Sequence, residues 1–396
     1  MSTTARNPAI DPATTTTDPL SLIDVDHVRF YVANAKQAAH FYAHTFGFQV
    51  AQVSDLTTGS RDEASYLLTQ GNIRLILTSP LNKSHPAAEE IKLYGDGIKD
   101  LAFTVFDAEK AFEAAVKNGG EVAYEPTTES DETGSVTRSG IKTYGRVIHS
   151  FVSRTGAYDL PSVKKGGLIA SNFRKVENYA LNEYNKAHPC GLMFTDHLVG
   201  NVEKGKMNHW VKWYEDVLEF KMFMHFDDED ISTEYSALMS KVMASGNNLI
   251  KMPINEPADG KRKSQIQEYI DWHNGSPGIQ HLAFRNDDQL ESVAELRRRG
   301  VDFLYIPDDY YDEVWDRVSK MGWEIKEDHE KIKDLGILID ADHEGYLLQL
   351  FTKPLQDRPT LFFEIICRRG SQSFGKGNFK ALFEALELEQ ERRGNL

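Results

Sequence analysis

The chain has 396 residues, of which 40% are hydrophobic and 27% charged, and a formal net charge of −15 at pH 7. This length predicts about two or three domains, and the hydrophobic content suffices for a sizeable core. The net acidity argues against a nucleic-acid-binding surface, because phosphate binding needs clustered Lys and Arg.

Residues 1–20 are rich in Thr, Ala, Pro and Asp, which predicts a disordered tail rather than a secretory signal. No apolar run approaches the roughly 18 residues that span a bilayer. Cys190 and Cys367 form neither a CxxC pair nor a disulfide framework. We therefore expect two buried thiols in a reducing compartment, and a cytoplasmic protein that contacts no membrane.

The predicted elements alternate between short strands and amphipathic helices. The first half begins with a strand at 25–32 and a helix at 35–45, which has Ala38, Phe41 and Tyr42 on one side, and continues with a strand at 73–77 and a helical stripe of Ala108, Phe112 and Ala115. A polar connection at 161–190 follows. The second half shows a helical stripe of Leu290, Val293 and Leu296, and then strands at 347–351 and 361–366.

The two halves of the chain repeat each other. Asp26-His27-Val28 in the first half resembles Asp196-His197-Leu198 in the second, and 98–103 aligns with 279–284. In both copies a helix-like stretch ends in a glycine, 19 residues after the position held by Asp100 or His281. A fainter third match aligns 148–151 with 362–365. The pattern predicts one strand–helix–strands unit that is used repeatedly.

Three repeat positions in the second half carry residues that could bind a metal. These are His197, His281 and Glu364, which we expect on different strands of one curved sheet. Two imidazoles and one carboxylate form the facial triad of non-haem Fe(II) oxygenases. The matching positions of the first half hold His27, Asp100 and Ser150, which predicts a scaffold half and a catalytic half.

A plainer interpretation stays open from the residues alone. The chain has 13 histidines, and a histidine in an apolar strand is more often a hydrogen-bonded core residue than a ligand. The clusters at 328–330 and 342–344, each Asp-His-Glu, lie in polar, turn-like sequence and are predicted to be solvated surface.

Longer stretches of the second half closely resemble 4-hydroxyphenylpyruvate dioxygenases, within the vicinal-oxygen-chelate superfamily. The matching segments are FTDHLVGNV at 194–202, KMPINEPA at 251–258, KRKSQIQEYI at 261–270, GIQHLAF at 278–284, YLLQLFTKP at 346–354, FFEIICRRG at 362–370 and FGKGNFKALFEALE at 374–387. The first half resembles the N-terminal domain of the family more loosely, through DHVRFYV at 26–32 and FYAHTFGF at 41–48.

This resemblance implies an α+β fold of paired βαβββ modules, two in each domain, that form open curved sheets. It implies a non-catalytic domain at 21–160, a linker at 161–190 and a catalytic domain at 191–396 that ends in a lid helix at about 376–393. It also implies Fe(II) at His197, His281 and Glu364.

The reaction implied by the resemblance takes 4-hydroxyphenylpyruvate and O2 to homogentisate and CO2, in the breakdown of tyrosine and phenylalanine. The substrate carries its own 2-oxo acid, so no separate 2-oxoglutarate is expected. The same resemblance implies a homodimer, with a tetramer as the alternative.

By matching to the family motifs, a set of polar and apolar residues is expected to line the substrate site. The polar members are Ser240, Asn255, Gln265, Gln280, Gln349 and Asn378, and the apolar members are Phe351, Phe362, Phe374, Phe379 and Leu382. Neutral amides and hydroxyls can bind a phenol and a carboxylate without adding charge near a metal. Without the family, Asn255 would be interpreted as a turn residue, the glutamines as exposed strand residues and the phenylalanines as core.

The last predicted helix is interpreted as a lid over the metal pocket. Phe379, Leu382, Phe383 and Leu386 recur at helical spacing and form one apolar stripe. The preceding glycine-rich segment, 375–378, lacks the phosphate-loop pattern and is expected to be a flexible entry to this helix.

Competing functions remain. A hydroxymandelate synthase resembles the same family and would oxidise the benzylic carbon of the same substrate. An extradiol catechol dioxygenase shares the scaffold and the type of triad. A non-catalytic binding protein of this fold would bind iron without consuming O2.

Overall fold

Two mixed sheets, one from each half of the chain, carry the α+β fold, so the predicted fold class is confirmed. The computed structural model describes residues 20–226 and 237–394. The predicted tail lies outside the described residues except for Leu20.

The first sheet has nine strands and five accompanying helices. Its strands are β1 (Asp24–Tyr31), β2 (Gln49–Ser54), β3 (Glu63–Gln70), β4 (Ile73–Pro80), β5 (Gly97–Thr104), β6 (Glu121–Asp131), β7 (Gly134–Lys142), β8 (Ile148–Gly156) and β9 (Arg174–Lys175). The helices are α1 (Ala35–Phe46), α2 (Pro86–Tyr94), α3 (Ala108–Lys117), α4 (Leu160–Lys164) and α5 (Ala180–Ala187). The strand order is β6-β7-β8-β5-β1-β4-β3-β2-β9.

The second sheet has eight strands. They are β10 (Phe194–Asn201), β11 (Lys221–Phe226), β12 (Ala237–Ala244), β13 (Lys251–Ala258), β14 (Gly278–Asn286), β15 (Leu338–Ala341), β16 (Tyr346–Phe351) and β17 (Phe362–Arg369). Its helices are α6 (Met207–Leu218), α7 (Gln265–Trp272), α8 (Gln289–Arg298), α9 (Tyr310–Lys320), α10 (His329–Asp334) and α11 (Phe379–Arg392). The strand order is β11-β12-β13-β10-β14-β17-β16-β15.

The strand orders show that the two halves are structural copies. Read from the opposite edge, the second sheet follows the order of the first eight strands of the first sheet. The pairing register agrees residue by residue: Ala102 pairs with Ser150 in the first sheet, and Ala283 pairs with Glu364 in the second. The faint third sequence match therefore aligns the correct residues.

Helix burial follows the predicted stripes except in α1. In α3, Ala108, Phe112 and Ala115 are all buried, as predicted, and Asp107 caps its first turn. In α1 the buried face is formed by Ala35, Ala39, Tyr42, Ala43 and Phe46. Phe41 is 41% exposed, so the stripe predicted for this helix was rotated by part of a turn.

The segment predicted as a linker, 161–190, contains α4, β9 and α5. β9 pairs with β2, and Asn185 in α5 donates to the backbone oxygens of Ala43 and Phe48. The segment is thus packed against the first sheet by backbone hydrogen bonds. The predicted domain boundaries at 160 and 190 stay a prediction.

Aromatic side chains join the two halves at the back of the second sheet. Phe46 lies 5.0 Å from Phe363 between ring centroids, and Phe48 lies 6.2 Å from Phe284. Arg299 adds hydrogen bonds to the carbonyls of His44 and His188. These contacts fix β14 and β17 from behind, and both strands carry candidate ligands on their other face.

Both cysteines are buried and no disulfide joins them, as expected. Within residues 20–226 and 237–394, the helices are too short or too polar to cross a bilayer.

Candidate functional site

The three predicted ligand side chains meet on one face of the second sheet. The ligand atoms of His197, His281 and Glu364 all lie within 4.8 Å of one another, and all three residues are buried. The Nε2 atoms of His197 and His281 lie 3.0 and 3.4 Å from Oε2 of Glu364. We call these three residues the His-His-Glu triangle.

Strand register explains why residues so distant in sequence converge. Ala283 on β14 pairs with His197 on one side and with Glu364 on the other. His281 lies two residues before Ala283 and therefore points to the same face of the sheet. The triangle thus follows directly from the pairing of β10, β14 and β17.

Each histidine of the triangle has its other ring nitrogen occupied. Nδ1 of His197 lies 2.9 Å from Oδ1 of Asp196, and Nδ1 of His281 lies 2.9 Å from Oε1 of Gln280. Both partners are acceptors, so in the neutral imidazoles Nδ1 carries the proton and Nε2 keeps its lone pair. The lone pairs are then available for a metal, and the ring orientations are held from behind.

The charges of the triangle also suit a cation. Burial raises the pKa of Glu364, but the charge of His197 and hydrogen bonds from both histidines outweigh it and lower this pKa to about 2. Burial lowers the pKa of His281, whereas the pKa of His197 is raised because Glu364 and Asp196 outweigh burial. A buried carboxylate beside two imidazoles therefore keeps its charge, which a divalent cation would balance.

The matching positions of the first half contact one another. The Ser150 hydroxyl donates to Oδ2 of Asp100 at 2.6 Å, and the Tyr124 hydroxyl donates to Ser150 at 2.7 Å. His27 retains an Asp26 partner at Nδ1, 2.6 Å away. The first half thus keeps the Asp-His arrangement but uses its remaining polar groups in a hydrogen-bond network.

A cavity opens beside the triangle. Nine of the residues predicted to line a substrate site do line it: Ser240, Asn255, Gln265, Gln280, Phe351, Phe362, Phe374, Phe379 and Leu382. The wall is mainly aromatic and aliphatic, with a few neutral polar groups. Such a cavity suits a small aromatic molecule that also carries polar ends.

Comparison with known proteins decides the family. A family model for the Glyoxalase/Bleomycin resistance protein/Dioxygenase superfamily matches residues 24–139 and 196–314. The 4-hydroxyphenylpyruvate dioxygenase of Yarrowia lipolytica is 47% identical over 375 residues, which cover 94% of this chain and 93% of the relative. The same-named protein of Dictyostelium discoideum is 45% identical and covers 94% and 99%. The chain belongs to the 4-hydroxyphenylpyruvate dioxygenase family.

A solved structure shares this architecture. A mutant of 4-hydroxymandelate synthase from Streptomyces coelicolor superposes with a TM-score of 0.78 at 28% identity, over 93% of this dioxygenase and 98% of that chain. The resemblance drawn from the motifs is thus confirmed, and the sister activity belongs to a more distant relative.

Two predicted site residues of this dioxygenase lie away from the cavity lining. Asn378 is buried, and its Oδ1 accepts hydrogen bonds from the Tyr310 hydroxyl at 2.7 Å and from Arg317 at 3.0 Å. Asn378 therefore anchors the start of α11 to α9. The structure does not bring it to the substrate side.

Gln349 is the second predicted site residue that does not line the cavity. Its side-chain amide is buried and has no hydrogen-bond partner among the described residues. Gly375 covers it so closely that a Cβ at that position would collide with the amide. Gln349 therefore lies behind the loop at Gly375 and not in the cavity wall.

The cavity also has lining residues that the sequence analysis did not assign to the site. These are Val199, Phe226, Leu238, Val242 and Pro253, whereas Phe383 and Leu386, which also line the cavity, belong to the stripe predicted for the lid helix. A period of two along β12 connects Leu238, Ser240 and Val242, and the same period connects His197 with Val199. Strand alternation around the assigned residues would therefore have found several of them.

Proposed function

We propose that this dioxygenase converts 4-hydroxyphenylpyruvate and O2 to homogentisate and CO2, with Fe(II) held by His197, His281 and Glu364. The observation that carries the proposal is the buried His-His-Glu triangle beside an aromatic cavity. The family of the chain supplies the substrate and the reaction class.

The donor set fits Fe(II). Two neutral imidazoles and one carboxylate are the ligands of non-haem Fe(II) oxygenases, and they leave further coordination positions open. Both imidazoles are held with Nε2 toward the Glu364 carboxylate, so the three donor groups converge on one point. When bound, the iron supplies the redox chemistry that activates O2 and the charge that binds a 2-oxo acid.

The protein's own contribution is to orient the substrate and exclude water. Phe351, Phe362 and Phe374 form an apolar wall close to the triangle: Phe374 lies 4.9 Å from His197, and Phe362 lies 4.8 Å from His281, between ring centroids. An aromatic substrate would pack on these rings, whose area burial and ring contacts favour it. Orientation beside the metal then lowers the entropic part of the barrier.

Neutral polar groups would bind the polar ends of the substrate. Ser240, Asn255 and Gln265 line the cavity and carry no net charge. Because the Oε1 of Gln280 already accepts from His281, its NH2 group is available as a donor. These groups can satisfy a phenol and a carboxylate while the triangle keeps the only charge of the assigned site.

Helix α11 is proposed to act as a lid. Phe379, Leu382, Phe383 and Leu386 on this helix all line the cavity. The helix therefore covers the side of the cavity that the sheet leaves open. Its opening and closing would admit substrate and exclude water during turnover.

The test is anaerobic reconstitution with Fe(II), followed by O2 uptake with 4-hydroxyphenylpyruvate and chromatography of the product. Homogentisate is expected, and a His281→Ala variant should form none while keeping its fold by circular dichroism. Hydroxymandelate would assign the sister activity instead. Absence of O2 uptake with any 2-oxo acid, despite stoichiometric iron, would favour a catechol dioxygenase or a binding protein.

A cytoplasmic homodimer that acts in tyrosine and phenylalanine breakdown is part of the same proposal, and it rests on the family. Sedimentation velocity of the reconstituted enzyme measures the oligomeric state, and a tetramer or a monomer would contradict the dimer.

A further inference from the structure

A buried arginine connects the triangle to the segment before α11. Arg368 lies at the end of β17, four residues after Glu364. Its Nε and Nη2 donate to the two carboxylate oxygens of Asp196 at 3.0 and 2.8 Å. Asp196 in turn holds Nδ1 of His197. One unbroken chain of hydrogen bonds thus runs from Arg368 to a candidate metal ligand.

The remaining guanidinium nitrogen faces the other way. Nη1 of Arg368 donates to the backbone oxygens of Ser371 and Ser373 at 3.3 and 2.5 Å. Residues 371–375 lie in the segment between β17 and α11, and we call them the lid base. The next residue, Phe374, has its ring 5.6 Å from the guanidinium carbon and 4.9 Å from the His197 ring. The same side chain therefore holds both the metal side and the lid side.

The matching arginine of the first sheet makes fewer of these contacts than Arg368 does. Arg154 on β8 occupies the position that matches Arg368, and its Nη2 donates to Asp26 at 2.9 Å. The Nε of Arg154 has no hydrogen-bond partner in the described part of the chain, whereas Arg368 uses all of its nitrogens. The Asp-Arg pair is common to both sheets, but Arg368 also donates hydrogen bonds to the loop that follows its strand.

We propose that Arg368 is a positioning residue that couples closure of the lid base to the seating of His197. A guanidinium is a rigid planar fork, so a displacement of the carbonyls of Ser371 and Ser373 is transmitted to Asp196 and then to the His197 ring. Thermodynamic linkage makes the effect reciprocal. If closure of the lid base raises the affinity of His197 for a metal by some factor, the bound metal raises the equilibrium constant for closure by the same factor.

This inference rests on the proposed function only in taking His197 as a metal ligand. Co(II) serves as the probe, because it accepts the same ligands, is stable in air, and reports binding by visible absorption. Hydrogen exchange of the α11 amides, measured with and without Co(II), reports the state of the lid. The experiment uses the full chain and three variants: Arg368→Lys, Arg368→Met and, as the matched control, Arg154→Met.

The wild-type protein should bind one Co(II), and binding should slow exchange throughout α11. Arg368→Lys keeps a cation beside Asp196 but cannot also hold both carbonyls, so its Co(II) affinity should stay within about threefold of wild type while most of the Co(II)-dependent slowing is lost. Arg368→Met should weaken Co(II) binding about tenfold or more, as for other partners of metal ligands.

Arg154→Met distinguishes coupling from general destabilisation. It breaks the equivalent buried pair, so it should lower the thermal midpoint yet keep wild-type Co(II) affinity and the full slowing in α11. The inference is overturned if Arg368→Lys retains the slowing, or if Arg154→Met loses it to the same extent. Failure of the wild-type protein to bind Co(II) would instead overturn the metal site and the proposed function with it.

Discussion

At the scale of single residues, the site depends on side chains that hold other side chains. His197 and His281 each take their Nδ1 partner from the preceding residue, Asp196 or Gln280. One partner is charged and buried against Arg368, and the other is a neutral amide that also lines the cavity. The two histidines are thus oriented by groups of different charge, which limits the negative charge around a cation to Glu364 and Asp196.

Gly375 is the residue whose replacement should separate substrate binding from metal binding. It has a φ of 79°, and a Cβ there would collide with the Gln349 amide. In a Gly375→Ala variant the end of the Gln349 side chain must move, beside the aromatic wall of the cavity, so we expect the KM for 4-hydroxyphenylpyruvate to rise about tenfold at unchanged iron content, measured by steady-state O2 uptake.

Gly394 offers the matched control for this variant. Its φ is 72°, but an added methyl group meets nothing within 4 Å. Gly394→Ala therefore carries only the backbone strain, about 1 kcal/mol, and should keep a wild-type KM. Equal KM values for the two variants would show that the contact between Gly375 and Gln349 has no part in substrate binding.

At the scale of elements, the strands supply the triangle and the last helix lines one side of the cavity. β10, β14 and β17 are neighbours in the sheet, so the triangle is as rigid as their backbone pairing. α11 follows a loop and packs on its neighbours through side chains, with Asn378 bound to Tyr310 and Arg317 at its start. Motion during turnover is therefore expected in the helix rather than in the triangle.

Deletion of residues from Phe374 onward tests the role of this helix. The change removes five lining residues, Phe374, Phe379, Leu382, Phe383 and Leu386, but no strand and no member of the triangle. We expect turnover to be abolished while circular dichroism shows that the sheets persist and iron still binds. A truncated enzyme with normal kcat and KM would refute the lid.

At the scale of the whole molecule, one structural unit is used in two ways. Both sheets have the same strand order and the same buried Asp-Arg pair, Asp26 with Arg154 and Asp196 with Arg368. The second sheet adds the triangle, the cavity and the lid base. The first sheet packs behind it through Phe46, Phe48 and the hydrogen bonds of Arg299.

The first-sheet pair should contribute to acid stability. Burial raises the pKa of Asp26, but the charge of Arg154 and the contact with His27 outweigh it and hold this pKa well below its usual range. A carboxyl whose pKa is lowered by folding stabilises the protein above its unfolded pKa, about 3.9, and this stability is lost as the pH falls through the folded value.

An Asp26→Asn variant measures this contribution at a site remote from the metal. Removing one member of a buried ion pair should lower the free energy of unfolding by about 3–5 kcal/mol at pH 7. Below pH 4 the difference from wild type should shrink, because the carboxyl of the unfolded wild-type chain takes up a proton there while the folded one stays charged until the pH reaches its lower pKa. Urea unfolding at both pH values measures it, and a difference that grows on acidification would contradict the assignment.

Much of the fold and of the triangle could be predicted, because both follow from local pattern and from the repeat. The register of the two halves identified His197, His281 and Glu364 among 13 histidines and many carboxylates. The same logic places Ser240 and its neighbours on β12. These positions are set by strand alternation, which one segment of sequence already contains.

What local pattern did not predict comes from packing between distant segments. Gln349 lies two residues before Phe351 on β16, and alternation puts both on one face, yet the loop at Gly375 covers only the former. Asn378 precedes a helix whose apolar stripe faces the cavity, but α9 binds its side chain. The sequence pattern placed Phe41 and Tyr42 on the same side of α1, but in the structure the Phe41 side chain is exposed.

The sequence by itself determined the repeat, which is encoded by residue type at fixed spacing, and the repeat pointed to the three residues proposed to bind iron. The family, with the fold class and the iron that it implies, came from the resemblance of long motifs rather than from spacing. Only the tertiary structure decided which polar side chains reach the cavity, that Gln349 lacks a partner, and that Arg368 joins Asp196 to the lid base. These features depend on contacts between segments far apart in the chain, and their geometry is set by the packing of loops and helices on the sheet rather than by any local period.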